Sequence, residues 1–204
     1  ITLTDTTNET ERTKLVYPTV SQMDDASVEE KVNQLIQTSN QLGPQQYSDT
    51  ANLEGTVEVT FLDGETLSLV YRWTLTNPEE NTGYPTTYLH SLVIDLKTGE
   101  QKHFNDYASV YNVFYQLKYG LYQIVADSSE SDTTARVAVQ NLLRNGTVSA
   151  DKLATADYPL SEAFPPSLFG YVTQDKIGLL IPASDNIGGS IRLEFDRKDV
   201  AKTE

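Results

Sequence analysis

The stretch Tyr88–Gln101 constrains this chain most. Tyr88, His90, Leu92, Ile94 and Leu96 alternate with Leu89, Ser91, Val93 and Asp95, which is the period of a β-strand. Both alternating sets are largely apolar, so the strand is expected to be covered on both faces, as a central strand is. Lys97-Thr98-Gly99-Glu100 then ends it in a turn, where Gly99 adopts positive φ at little cost. Asp95, directly before that turn, reads as a strand-end residue that bonds the turn backbone.

The segments around this strand point to a mixed domain. Val57, Val59 and Phe61 run into Asp63-Gly64, a strong hairpin signal, and Leu67, Leu69, Tyr71 and Trp73 return on the other side. Lys14-Leu15-Val16-Tyr17-Pro18 reads as a short strand that Pro18 restricts to an edge or an end. Ser27 and Glu30 form a capping box, and Val28, Val32, Leu35, Ile36 and Ser39 trace one face of a first helix that closes at Leu42-Gly43-Pro44. Asn105-Asp106 caps a second, long helix over Tyr107–Val125, with Val110, Val113, Phe114, Leu117, Leu121 and Ile124 inward. Gly120 falls in its middle. Tyr111, Tyr115, Tyr119 and Tyr122 form a second stripe, expected to edge the core with rings buried and hydroxyls wet; an aromatic ligand-binding face is the alternative. A third helix starts at Ser131 or Asp132, runs through Leu143 and stops at Gly146, and Val148–Leu153 adds a turn. Phe169–Thr173, Ile177–Ile181 and Ile191–Phe195 close the chain as three strands. The expected fold class is α+β: an antiparallel or mixed sheet with two hairpins and about three helices, two of them packed on the sheet. Residues 1–13 read as a flexible polar tether, 14–200 as a single domain, and 201–204 as a tail.

Charge narrows the function classes. The net charge is −14, which opposes binding to nucleic acid or to an anionic membrane surface, because both need clusters of Lys and Arg. It suits a soluble protein, and also one that attracts a basic partner. No cysteine is present, so disulfides, thiol catalysis and Cys-based metal sites are excluded. No run approaches the roughly 20 apolar residues of a membrane span. The Thr-rich opening reads as the end of a tether whose export signal or anchor has been removed, so contact with a membrane is expected only through that anchor.

No catalytic constellation emerges. His90 and His103 are the only histidines. His90 sits in the expected central strand as a core or interface histidine, and His103 follows the turn, where exposure is expected. There is no Gly-x-Ser-x-Gly elbow, no zinc spacing and no phosphate-binding glycine loop. The acidic run Asp127–Asp132 lacks the glycine and the glutamate of a calcium loop, since Asp132 and Ala138 stand at those positions. Paired carboxylates for glycoside hydrolysis remain open, with Asp95 and Glu162 as unspecific candidates. No enzyme activity, cofactor or metal is expected.

Three motifs resemble one family. Leu15-Val16-Tyr17-Pro18 with Glu30-Lys31-Val32-Asn33-Gln34-Leu35-Ile36, the strand Leu89–Glu100 ending in Asp-Leu-Lys-Thr-Gly-Glu, and Phe169–Leu179 are similar, in order and spacing, to the RsiV-like bacterial extracytoplasmic domains. That family includes the ectodomain of a lysozyme-sensing anti-sigma factor and the domain preceding the catalytic part of a peptidoglycan deacetylase. The resemblance implies a non-enzymatic binding or sensing domain, secreted or anchored on the outer face of the cytoplasmic membrane. The implied partner is a basic protein of lysozyme type, or peptidoglycan. A module of a peptidoglycan-modifying enzyme and a structural spacer are the alternatives. The expected contacts lie in two loops, Asn77–Thr86 and Asp157–Gly170, with Tyr84, Tyr158, Phe164, Glu79 and Glu80 as binding residues, because loops on a rigid sheet can reach into a cleft.

Overall fold

The structure, a computed structural model, describes residues 1–43, 52–76, 86–125, 132–158, 168–183 and 189–202. They fall into two units, Ile1–Gln101 and Lys102–Glu204, each with buried clusters of its own. The fold class is α+β, as expected, with a six-stranded mixed sheet and a four-stranded antiparallel sheet among the described residues.

In the first unit the strands β1 (Thr2–Glu9), β2 (Thr13–Ser21), β3 (Asn52–Leu62), β4 (Thr66–Thr76), β5 (Thr86–Asp95) and β6 (Glu100–Lys102) follow in chain order across the sheet. β2 and β3 pair in parallel. The opening of the chain is a strand and not a free tether. Its threonines suit extended backbone, and β1 pairs with β2 along its whole length, from Thr2↔Ser21 to Glu9↔Lys14. β2 is therefore interior, although Pro18 lies beyond Val16↔Thr56, the last pair with β3, where its missing N–H costs that ladder nothing. β5 is not central either, because only the three-residue β6 lies beyond it. Both of its alternating sets are nevertheless buried, as the sequence suggests. Asp95 closes the following turn, its Oδ1 accepting from Lys97 N at 2.8 Å and Thr98 N at 3.2 Å.

Helix α1 (Ala26–Ser39) starts two residues earlier than a Ser27 cap would place it. Asp25 is the N-cap, accepting from Ser27 N at 2.8 Å and Val28 N at 3.3 Å. Val28, Val32 and Ile36 pack with Leu67, Leu69, Tyr71, Leu92 and Ile94. Asn33 ties the helix to β2 through both ends of its amide, 2.9 Å each from the backbone N and O of Val20. The expected stop at Gly43-Pro44 is replaced by Asn40, whose N–H donates to Ile36 O.

In the second unit the long helix expected over Tyr107–Val125 is three pieces. They are α2 (Phe104–Tyr107), α3 (Val110–Tyr119) and a strand, β7 (Gln123–Val125). His103 caps α2, its backbone N donating to Asp106 Oδ2 at 2.8 Å, and Ser109 caps α3. Gly120 is the C-cap of α3 at φ +69°, a left-handed position that stops the helix. Val113 and Leu117 are buried in the cluster of this unit, whereas Leu92 and Ile94 belong to the first unit's cluster, so the expected packing of this helix on that sheet does not hold. Helices α4 (Asp132–Arg144), α5 (Ala150–Ala154) and α6 (Arg197–Val200) complete the helical set. The strands β8 (Phe169–Val172), β9 (Lys176–Pro182) and β10 (Ser190–Asp196) match the three expected from the sequence, and the sheet runs β7-β10-β9-β8. Ile177, Leu179, Ile181, Ile191, Leu193 and Phe195 share a core with Phe104, Val113, Leu117, Val139 and Leu153. No helix among the described residues is long and apolar enough to cross a membrane.

Candidate functional site

Of the five residues expected to bind, Tyr84, Phe164, Glu79 and Glu80 lie outside the described residues, and so does most of the acidic run Asp127–Asp132. Tyr158 is described and half-buried. It follows Asp157, which has φ +68°, a left-handed conformation that Asp tolerates better than most side chains. The turn is fixed from both sides. Asp157 N donates to Leu168 O at 3.1 Å, Gly170 N donates to Asp157 Oδ1 at 2.9 Å, and Tyr158 N donates to Thr155 O at 3.3 Å.

This turn holds the Tyr158 ring flat against His103, with centroids 3.5 Å apart and planes 13° from parallel. The Tyr158 hydroxyl lies 3.5 Å from Asn105 Oδ1, while Asn105 Nδ2 donates to Ala154 O at 3.2 Å. His103 is thus half-buried beneath an aromatic ring and not freely exposed, because the turn at Asp157 folds Tyr158 back over it. The stack and the turn together restrict the tyrosine's side chain.

Asp157 is the unusual carboxyl of the site. Burial pushes its pKa well above the ordinary carboxylate range, against the opposing pull of the N–H groups of Gly170 and Phe104. The pKa of the Tyr107 phenol, whose hydroxyl is enclosed although the residue is only partly buried, is raised by burial first and by Asp157 second. A carboxyl this enclosed cannot meet a substrate from solvent, so its role is to hold the turn under Tyr158. Among the described residues no group of three His, Asp or Glu side chains could hold a metal ion.

A second feature overturns an expectation. Tyr111, Tyr115 and Tyr119 do not edge the core; they are 77%, 49% and 66% exposed, and only Tyr122 of the stripe is buried. The three stand at i, i+4 and i+8 on α3, so they form one ridge with about 6 Å of rise between neighbours. The Tyr115 and Tyr119 rings touch, 4.6 Å between centroids at a tilt of 44°. Leu121, expected inward, is 56% exposed just past Gly120, where the helix has ended. The three lie on the face of α3 opposite buried Val113 and Leu117, which is why they point to solvent.

No family model and no curated protein matches the chain. Two solved structures are similar to it over nearly its whole length. One is a member of the DUF3298 family from Bacteroides fragilis, 8% identical with a TM-score of 0.45, the match covering 99% of this chain and 92% of that one. The other is a DUF3298 family protein from Pseudomonas aeruginosa, 11% identical with a TM-score of 0.44, covering 98% and 92%.

Proposed function

We propose that this chain is a non-enzymatic, extracytoplasmic binding or sensing domain of the RsiV-like kind, which engages a basic protein of lysozyme type. The observation that carries the reading is the exposed ridge Tyr111-Tyr115-Tyr119. Three large aromatic side chains in one row contribute little to their own core, while Tyr is among the residues that concentrate at the centres of protein interfaces. The charge of −14 speeds encounter with a cationic surface and disfavours acidic partners. The resemblance of the Tyr-Pro strand and of the Asp-Leu-Lys-Thr-Gly-Glu turn supplies the compartment and the class of partner. Tyr158 adds a contact held by its stack on His103, and Tyr84, Phe164, Glu79 and Glu80 stay candidates on the sequence alone.

Titration with lysozyme at low and high ionic strength tests this, using a Tyr115→Ala/Tyr119→Ala variant and Tyr158→Ala beside the parent. Bulk charge alone gives an attraction that fades as the Debye length falls to about 3 Å at 1 M salt. Aromatic contacts survive salt, so the ridge variant is expected to lose at least about tenfold in affinity at both ionic strengths, or about 1.4 kcal/mol. Absence of binding at low salt refutes the reading, as does binding that salt abolishes and neither variant alters. Hydrolysis of peptidoglycan or chitin oligomers by the purified chain would replace it with that of an enzyme module.

A further inference from the structure

We propose that the outer edge of β1, in the first unit, takes up an extended basic peptide segment as a further strand of the sheet. β1 pairs with β2 from Thr2 to Glu9 without a register shift, and no strand lies on its other side among the described residues. Thr2, Thr4, Asp5, Thr7, Asn8 and Glu9 are exposed along it. An edge of this kind is a template for another chain, and proteins commonly blunt it with lysine, proline or a bulge. Thr2–Glu9 has none of the three, and its two charged side chains, Asp5 and Glu9, are both acidic.

The hydrogen-bond phase decides which backbone groups face outward. Thr10 N donates to Thr13 O at 2.7 Å across the β1–β2 turn. In an antiparallel ladder, bonded and non-bonded pairs alternate. Stepping back from Thr10 and Thr13, the bonded pairs are Asn8↔Leu15, Thr6↔Tyr17, Thr4↔Thr19 and Thr2↔Ser21. Leu3, Asp5, Thr7 and Glu9 therefore turn their N–H and C=O groups away from β2. Pro18 agrees with this phase. It stands opposite Asp5 in a non-bonded pair, where β1 requires no donor from its nitrogen. An incoming strand thus meets a regular row of backbone donors and acceptors.

Charge selects the occupant. Strand alternation puts the side chains of Leu3, Asp5, Thr7 and Glu9 on one face, and Leu3 packs there against the cluster that includes Val28 and Val32 of α1. Asp24, Asp25 and Glu30 are exposed at the start of that helix and add to the negative field. In the whole of Ile1–Gln101 the only basic residues are Arg12, Lys14, Lys31, Arg72 and Lys97, which Asp and Glu far outnumber. Lys14 Nζ does lie 4.0 Å from Glu9 Oε2, but both side chains are exposed and such a pair competes weakly. A second copy of this chain would bring Asp5 and Glu9 against their own kind, at −14 per chain, so self-pairing is opposed. A segment with Lys or Arg at alternate positions sets its cations on the α1 side, beside Asp5 and Glu9. Main-chain bonds then give the attachment, and charge gives the choice.

Amide hydrogen exchange of the whole chain, read by proton–nitrogen NMR, tests this with a short peptide of alternating lysine and threonine. At saturating peptide the amides of Asp5, Thr7 and Glu9 are expected to exchange at least tenfold more slowly, while those of Thr4, Thr6 and Asn8, already bonded to β2, stay as they were. Thr7→Pro removes an outward donor and spares the β2 ladder, and Asp5→Lys reverses the central charge. Each variant, checked for folding by circular dichroism, is expected to weaken binding at least tenfold. The same peptide N-methylated at every residue keeps its charge and loses its donors, and is expected to give no protection. No slowing at the three outward amides overturns the proposal, and so does equal protection by the methylated peptide or an unchanged midpoint in both variants. Protection that rises with protein concentration in the absence of peptide would overturn it in favour of a second copy. No folded basic protein takes part, and the tyrosine ridge belongs to the other unit, so failure here is separate from failure of the basic-partner reading.

Discussion

His90 makes the first unit sensitive to acid. The imidazole is 0% exposed in β5 and stacks on the Tyr71 ring, 4.4 Å between centroids and 8° from parallel. Its Nε2 lies 3.2 Å from Ser39 O, a carbonyl that can only accept, so Nε2 carries the proton of the neutral ring. Burial outweighs this bond and holds the pKa down to about 3. In the unfolded chain the same side chain titrates near 6.5. The folded pKa is the lower one, so the stabilising contribution is present above about pH 6.5 and is lost as the pH falls towards 3. Each pH unit inside that window costs about 1.4 kcal/mol, so the step from pH 7 to pH 4 removes about 3 kcal/mol through this residue alone. Carboxylates titrate over part of the same range, and a variant separates them. His90→Phe keeps a ring against Tyr71 but cannot titrate; it leaves Ser39 O without this donor, at a cost of about 1–3 kcal/mol at pH 7. Urea melts followed by fluorescence of Trp73, which lies in the same unit, give both stabilities at pH 7, 5 and 4. On acidification the difference is expected to move by about 3 kcal/mol in the variant's favour, which cancels or reverses the gap seen at pH 7. A gap that stays constant would show that His90 is protonated in the folded state, and the argument from burial would fail.

Asp157 should give the opposite pH dependence in the second unit. Burial raises its folded pKa, so its contribution is complete below the unfolded pKa of about 3.9 and is lost as the pH rises through the folded value, at no more than about 1.4 kcal/mol per pH unit. Asp157→Asn keeps Oδ1 for Gly170 N and tolerates the left-handed backbone, so melts followed by circular dichroism should show it gaining on the parent between pH 4 and pH 8; parallel curves would refute this. Tyr171→Phe probes a buried relay in which Arg192 Nε donates to the Tyr171 hydroxyl at 2.8 Å and that hydroxyl donates to Glu194 Oε1 at 2.8 Å. Removing the oxygen should cost about 2 kcal/mol in urea melts, as expected for hydrogen bonds to charged groups, and a loss under 0.5 kcal/mol would mean that Arg192 and Glu194 manage without it.

What the sequence made legible follows from how locally each feature is determined. The strand Thr86–Asp95, the turn bonded by Asp95 and the inward face of α1 each rest on a dozen neighbouring residues, and each was readable. Burial of His90 was readable for the same reason, since it shares a face with Leu92 and Ile94. The opening strand was not. Its polar threonines bury little, and what orders them is the backbone ladder to β2, which a periodicity of hydrophobic residues cannot report. The second helix failed at Gly120 for a sharper reason. Leu117, Leu121 and Ile124 continue a helical stripe, but Tyr122 and Ile124 also alternate as a strand does, and both patterns fit the same residues. Only the left-handed conformation of Gly120 decides between them, and a mid-helix glycine and a C-cap glycine look alike in sequence.

The same ambiguity decides the place of Tyr122. With the helix continued to Val125, Tyr122 draws Tyr111, Tyr115 and Tyr119 into a single core-edge stripe. With the helix ended at Tyr119, Tyr122 belongs to the backbone leading into β7 and is buried there, and the other three are left facing solvent. The candidate sites were harder still, because they are assembled from distant segments. Tyr158 reaches His103 across 55 positions of sequence through a turn whose key residue is a left-handed aspartate, a conformation with no sequence signature of its own. A sequence displays the groups a chain carries; which of them come together is a property of the folded arrangement.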